Sequence, residues 1–170
     1  GVIGFGGIGK EVVKMGISLG MKVKVLTRKP KTETLTLDFF DGQKVEFQIT
    51  STNNGDEFLK NTEFISINTP QTNEYIIDAP QFEKMENGVF IVNTARGGVI
   101  NEDALLEFIE DGKVAGAALD VFENEPQPSL SILMNPQLSI RPQLGGNTID
   151  AQEKIGIELA EQIIEIKKKL

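Results

Sequence analysis

The chain opens GVIGFGGIGKEVVKMG, and this opening constrains the fold more than any other stretch. Gly4, Gly6 and Gly9 form a G-x-G-x-x-G pattern between an apolar run and a helix-like stretch. Glycines at this spacing permit a tight turn, close backbone approach to a pyrophosphate, and close packing of helix on strand. The helix N-terminus adds N–H groups and positive dipole. A lone G-x-G-x-x-G is weak evidence, but the strand–turn–helix context makes a dinucleotide site the expectation.

The rest of the chain continues the alternation. Apolar runs at Gly1–Ile3, Lys22–Leu26, Phe64–Asn68, Val89–Asn93, Ala115–Val121 and Leu138–Ile140 read as strands. Helix-like stretches at Ile8–Leu19, Pro80–Met85 and Glu102–Glu110 lie between them. Strand and helix repeated this way predict an α/β fold of the Rossmann type, a doubly wound parallel sheet with helices on both faces. Asp78 and Gln81 form a capping pair with Pro80 in the first turn, while Gly88 and Gly112 stand where helix ends favour a left-handed residue. Ile155, Leu159, Ile163 and Ile166 recur at helical spacing, which predicts one long amphipathic helix over Ile149–Lys168.

Thr34–Ile49, TLTLDFFDGQKVEFQI, breaks the pattern. Leu35, Leu37 and Phe39 alternate on one side of Asp41-Gly42 and Val45, Phe47 and Ile49 alternate on the other, so an inserted β-hairpin is expected. A two-residue turn would oppose Leu37 to Glu46. A three-residue loop ending at Gly42 opposes Leu37 to Val45 and Leu35 to Phe47, which keeps apolar residues together.

Composition narrows the chemistry. With 170 residues, 39% of them hydrophobic, the chain reads as a single domain, residues 1–170. It holds no cysteine and no histidine, so neither a disulfide nor a transition-metal site is expected. A formal charge of -8 disfavours nucleic acid and anionic membranes as partners. No apolar run approaches the roughly 18 residues of a membrane span, and a cytoplasmic location is the expectation. The chain begins inside an apolar run at Gly1, as a piece of something longer would.

In folds of this kind an acid about 20 residues beyond the glycines binds the ribose 2′-hydroxyl of NAD. Here the second strand ends in Thr27-Arg28-Lys29. Two cations beside a small hydroxyl suit a 2′-phosphate, so the cofactor is read as NAD or NADP, with NADP slightly favoured. Two further stretches, NTARGGVINEDAL (Asn93–Leu105) and GAALDVFENEP (Gly116–Pro126), put polar residues just after apolar strands, where ligands of parallel sheets bind. Arg96 could clamp a carboxylate there. Taken singly, Arg96, Asp120 and Glu125 read equally well as surface or turn residues.

The ordered set GFGGIG, NTARGG, LDVFENEP and P-x-L-G-G followed by AQEKIG resembles the nucleotide-binding domain of the D-isomer-specific 2-hydroxyacid dehydrogenases, and within them the D-3-phosphoglycerate dehydrogenases. The resemblance spans nearly the whole chain. It implies hydride transfer between a nicotinamide and a 2-hydroxy or 2-oxo acid, in serine biosynthesis for the phosphoglycerate enzymes. It also implies a homodimer, and a second, substrate-binding domain that this chain lacks. By resemblance, Gly7 and Ile8 lie against the pyrophosphate and Thr69 and Pro70 near the adenosine. Thr94, Ala95, Asp120 and Gly145 fall beside the nicotinamide, Arg96 holds the substrate carboxylate, and Glu125 hydrogen-bonds the family's catalytic histidine.

At that histidine the sequence departs from the family. The family motif T-P-H-x-G is here Arg141-Pro142-Gln143-Leu144-Gly145. A primary amide orients a hydroxyl or carbonyl but does not titrate near neutral pH, so Gln143 is no general acid or base. Two readings follow: a dehydrogenase working slowly or through another proton relay, and a catalytically silent NAD(P)-binding module.

Overall fold

A computed structural model of the chain describes residues 1–144 and 148–169, with the backbone alone for Lys169. In chain order the elements are β1 (Val2–Ile3), α1 (Gly7–Ser18), β2 (Val25–Leu26), β3 (Thr32–Asp38), β4 (Lys44–Thr50), α2 (Gly55–Leu59), β5 (Phe64–Ile67), α3 (Ala79–Lys84), β6 (Val89–Asn93), α4 (Glu102–Glu110), β7 (Val114–Leu119), α5 (Leu130–Leu133), β8 (Leu138–Ile140) and α6 (Ile149–Lys169). Among the described residues six strands form one sheet in the order β2-β1-β5-β6-β7-β8, and every neighbouring pair is parallel. The chain runs outward from β1 to β2 and then crosses to β5 on the other side of β1. That reversal opens a crevice beyond the ends of β1 and β5, the place where ligands of open parallel sheets bind.

The expected hairpin is present in the expected register. β3 and β4 pair antiparallel, with Leu37 opposite Val45 and Leu35 opposite Phe47. Phe39 N donates to Gln43 O at 2.9 Å and Gly42 takes φ 84°, which closes the three-residue loop. Beyond the hairpin Thr52 reaches the outer edge of the sheet, bridging Leu26 in parallel. Leu35 is buried with Val2, Phe5, Val13 and Val25, so the insertion covers α1 and the first two strands.

Helix boundaries follow local chemistry. Asp78 and Gln81 form the capping box of α3, with Pro80 in its first turn. Gly112 is left-handed just past α4, as expected. Gly88 is left-handed too, but α3 is already capped at Met85, so Gly88 serves the turn into β6. Two short helices have no sequence periodicity to reveal them: α2, capped by the Asn54 side chain accepting from Glu57 N, and α5, capped by Ser129.

The sheet's two faces are covered unequally. Ile3, Ile67, Asn93 and Leu119 align across one face, which packs on Phe58, Phe82, Leu105, Ile109 and Ile132 from α2 to α5. On the other face α1 and the hairpin cover β1 and β2. Phe64, Phe90 and Val92 stay exposed, and the rings of Phe64 and Phe90 stack at 5.5 Å. The apolar residues of α6, among them Ile155, Leu159, Ile163 and Ile166, are exposed as well.

Candidate functional site

Every sequence-predicted site residue that the structure describes lies at or beyond the carboxyl end of a strand of the sheet. Gly145 lies outside the described residues. Because the sheet order is β2-β1-β5-β6-β7-β8, the candidates form a row: Thr27–Lys29, then Gly4–Gly9, Thr69 and Pro70, Thr94–Arg96, Asp120 with Glu125, and Gln143.

The glycine turn divides sharply by what surrounds each position. A Cβ on Gly4, itself at φ 94°, would stand 2.4 Å from Asn68 O, and one on Gly9 would stand 2.1 Å from Gly4 O. These two glycines let β1, α1 and the end of β5 pack together. A Cβ on Gly6 or Gly7 meets nothing within 4 Å. The loop is therefore open where a ligand would approach, and α1 starts at Gly7 from an N-cap, Gly6, that offers no side chain to its amides. Beside it, Thr69 Oγ1 is the one buried side-chain oxygen or nitrogen without a partner among the described residues. Bare helix amides and an orphaned hydroxyl at the switch point fit a dinucleotide.

At the end of β2, Thr27 is already engaged. Its Oγ1 lies 3.0 Å from Lys29 O, to which it donates, and 2.8 Å from Ser51 Oγ. Ser51 is buried and accepts from Lys31 N at 3.0 Å, so Thr27 ties β2 to the base of the hairpin.

At the other end, buried Asn93 shapes the turn after β6. Its Nδ2 donates to Arg96 O at 3.0 Å and its Oδ1 accepts from Ala95 N at 3.1 Å, leaving Thr94 and Arg96 exposed. A Cβ on Gly97 would lie 1.8 Å from Phe122 O, so this turn sits directly on the turn after β7. In that second turn Glu125 Oε1 accepts from Phe122 N at 2.9 Å. Asp120 O accepts from Gln143 N at 3.0 Å, and Asp120 Oδ1 accepts from Leu144 N at 3.0 Å. Asp120 thus fixes the Gln143 segment twice, and Gln143 takes φ 49°, a left-handed conformation few residues other than glycine adopt.

Asp120, Glu125, Ile140, Arg141 and Gln143 line one cleft of about 460 Å³. Glu125 and Gln143, the residue at the family's histidine position, therefore line one space. Arg96 is not brought in with them: its Nη1 donates to Ala95 O at 2.6 Å. Among the described residues no group of His, Cys, Asp and Glu could hold a metal ion.

Several supporting residues escape sequence reading. Glu102 and Glu123 exchange hydrogen bonds, each carboxylate accepting from the other's backbone N–H, at 2.8 and 2.9 Å. Burial of Glu102 raises its carboxyl above the usual range, with the charge of Glu123 adding to the effect. Tyr75 OH donates to Glu123 at 3.3 Å, and that carboxylate raises the Tyr75 hydroxyl. Of these contacts only the polar run after each apolar strand gave a hint in the sequence.

The family model for the D-isomer specific 2-hydroxyacid dehydrogenase NAD binding domain matches residues 1–145. The chain is 40% identical over 169 residues to a hydroxypyruvate reductase of Thermotoga maritima, covering 96% of this chain and 51% of that one. It is 38% identical over 173 residues to a D-3-phosphoglycerate dehydrogenase of Archaeoglobus fulgidus, covering 100% and 31%. Among solved structures, a D-isomer specific 2-hydroxyacid dehydrogenase of Xanthobacter autotrophicus in complex with NADPH superposes with a TM-score of 0.80 at 25% identity, covering 99% of this chain and 66% of that one. The chain spans about half, or less, of the length of the curated relatives it matches.

Proposed function

Because this chain belongs to the D-isomer specific 2-hydroxyacid dehydrogenase family, we propose that it is the cofactor-binding part of an NAD(P)-dependent oxidoreductase of the phosphoglycerate dehydrogenase type, serving serine biosynthesis. The observation that carries the reading is the glycine turn, closed at Gly4 and Gly9 by packing and open at Gly6 and Gly7. In this proposal the amides of Gly7 and Ile8 receive the pyrophosphate and Thr69 Oγ1 finds its missing partner on the adenosine side. Thr94, Ala95 and Asp120 flank the nicotinamide.

A bound nicotinamide supplies the hydride chemistry; the chain's own residues bind, orient and handle the proton. Arg96 holds the substrate carboxylate once its guanidinium leaves the Ala95 carbonyl. Gln143 donates or accepts a hydrogen bond at the substrate oxygen from the cleft that Glu125 also lines. It cannot take or give the proton, which in this proposal passes through water or another segment. The absence of any histidine favours a second reading, a silent module that holds NAD(P) without turnover. The two separate in an assay of the full-length protein with NADH or NADPH and 3-phosphohydroxypyruvate, hydroxypyruvate or glyoxylate. Cofactor oxidation with the phosphorylated acid supports the first reading, and cofactor binding without turnover of any of the three supports the second.

Among the described residues no helix is long and apolar enough to cross a membrane. We place the protein in the cytoplasm as a homodimer, the exposed apolar residues of α6 being the surface that pairing would cover. Light scattering at tens of micromolar should give a dimer mass for the full-length protein; a monomer mass would remove the homodimer from the proposal.

A further inference from the structure

The family fold places an acid at the end of the second strand, where it accepts hydrogen bonds from the ribose and repels a 2′-phosphate. Here that place holds Thr27, whose hydroxyl is committed to Lys29 O and Ser51. The inserted hairpin brings a different carboxylate to the same neighbourhood. Glu33, the second residue of β3, forms ion pairs with both Lys10 of α1 and Lys31 at the hairpin base. Lys31 Nζ also donates to Phe5 O at 3.2 Å, and Phe5 is the residue between Gly4 and Gly6. Lys31 and Lys10 lie 5.3 and 5.9 Å from the centre of the Phe5 ring. Through Lys31 and Ser51 the same carboxylate is tied to Thr27 at the end of β2. Glu33 is thus one side chain from the glycine loop and two from the strand end.

We infer that Glu33 sets the ranking of NAD against NADP in this chain, its hairpin-borne carboxylate standing in for the acid missing from β2. The inference rests on the dinucleotide reading of the glycine loop. Arg28 and Lys29 alone would attract a 2′-phosphate, and Lys10 and Lys31 would strengthen that attraction if they were free. Glu33 engages both of them and adds a negative charge that a phosphate must approach. The hydrogen bonds from Lys10 and Lys31 hold its carboxyl below the usual range, so it stays ionised throughout the neutral region. A plain structural tether predicts something else: pairs this accessible contribute little to stability, and losing one would shift melting slightly and leave the choice of ligand unchanged.

The test is calorimetric titration of this chain and of Glu33→Gln with NAD and with NADP. The ratio of NADP to NAD affinity should rise about tenfold or more in Glu33→Gln, with NAD affinity changed less than about threefold. Lys10→Met, which leaves Glu33 less neutralised, should move the ratio the opposite way, towards NAD. This second variant keeps the question open to decision if Glu33→Gln folds poorly. A ratio unchanged in both variants, or moved in the same direction by both, overturns the inference while leaving the dinucleotide site intact. If neither ligand binds any of the three proteins, the dinucleotide reading itself has failed and the inference falls with it.

Discussion

The carboxyl edge of the sheet has two ends, and they differ in how completely this chain supplies them. At β1, β2 and β5 the packing glycines are closed, the approach glycines are open, and a buried hydroxyl waits for a partner. At β6, β7 and β8 the supporting backbone is equally well braced, by Asn93, Asp120 and the Glu102–Glu123 exchange. Yet the residue that the bracing presents beside Glu125 is an amide. In the proposed function, binding geometry and proton chemistry are separable properties of one edge: the first is carried by backbone shape, the second by one side chain.

The largest effect should come from restoring that side chain. Gln143→His in the full-length protein should raise the turnover number by about a hundredfold to ten-thousandfold, the contribution of a positioned acid or base. Histidine is among the residues that tolerate a left-handed backbone, so φ 49° is no obstacle. Glu125 beside it should raise the imidazole pKa above about 6.5. In the direction of acid reduction the imidazolium is the proton donor, so the rate should fall as pH rises through that value. In oxidation the neutral imidazole is needed, and the rate should rise instead. Kinetics against pH in both directions check this; a variant no faster than its parent would return the proton transfer to some other group.

A smaller effect tests the binding end. Gly7→Ala adds a methyl group where the folded chain has open space, so melting should be unchanged while dinucleotide affinity falls by about 1 to 3 kcal/mol, the usual cost of a steric intrusion. Gly9→Ala should lower both, since its methyl meets Gly4 O. Thermal melts beside titrations separate the two, and equal behaviour of the two variants would erase the division of labour within the turn.

Removing a brace should matter less. Ser51→Ala leaves Lys31 N without its side-chain acceptor and should cost about 1 kcal/mol of stability by denaturant titration. Smallest is Glu102→Gln. Burial raises the Glu102 carboxyl in the folded chain, so its protonated form is the better accommodated one. Stability from this group is complete below the unfolded carboxyl pKa and is lost as pH rises through the folded one. The glutamine variant should lack that decline, which melting temperatures between pH 4 and 8 would reveal.

The contrast between the ends also explains what the sequence made legible. Alternating apolar strands and helical stretches specified the parallel sheet, and parity alone set the hairpin register at Leu35 and Leu37. The packing glycines could be read because no other residue fits those positions. Unreadable were contacts between segments distant in the chain: Thr27 with Ser51, Glu33 with Lys10, Glu102 with Glu123. Each joins residues that only the folded topology brings together, and each involves a residue type common on any surface. Arg96 shows the reverse case, a motif residue recognised by its neighbours whose guanidinium bonds its own turn.

In the proposed function the residues of the binding end all belong to this chain, whatever stands at Gln143. Calorimetric titration of the 170-residue chain with NAD and NADP tests it most directly. One site is expected, saturable below millimolar ligand, with Gln143→His leaving the affinity unchanged. No binding of either dinucleotide at millimolar concentration would contradict it.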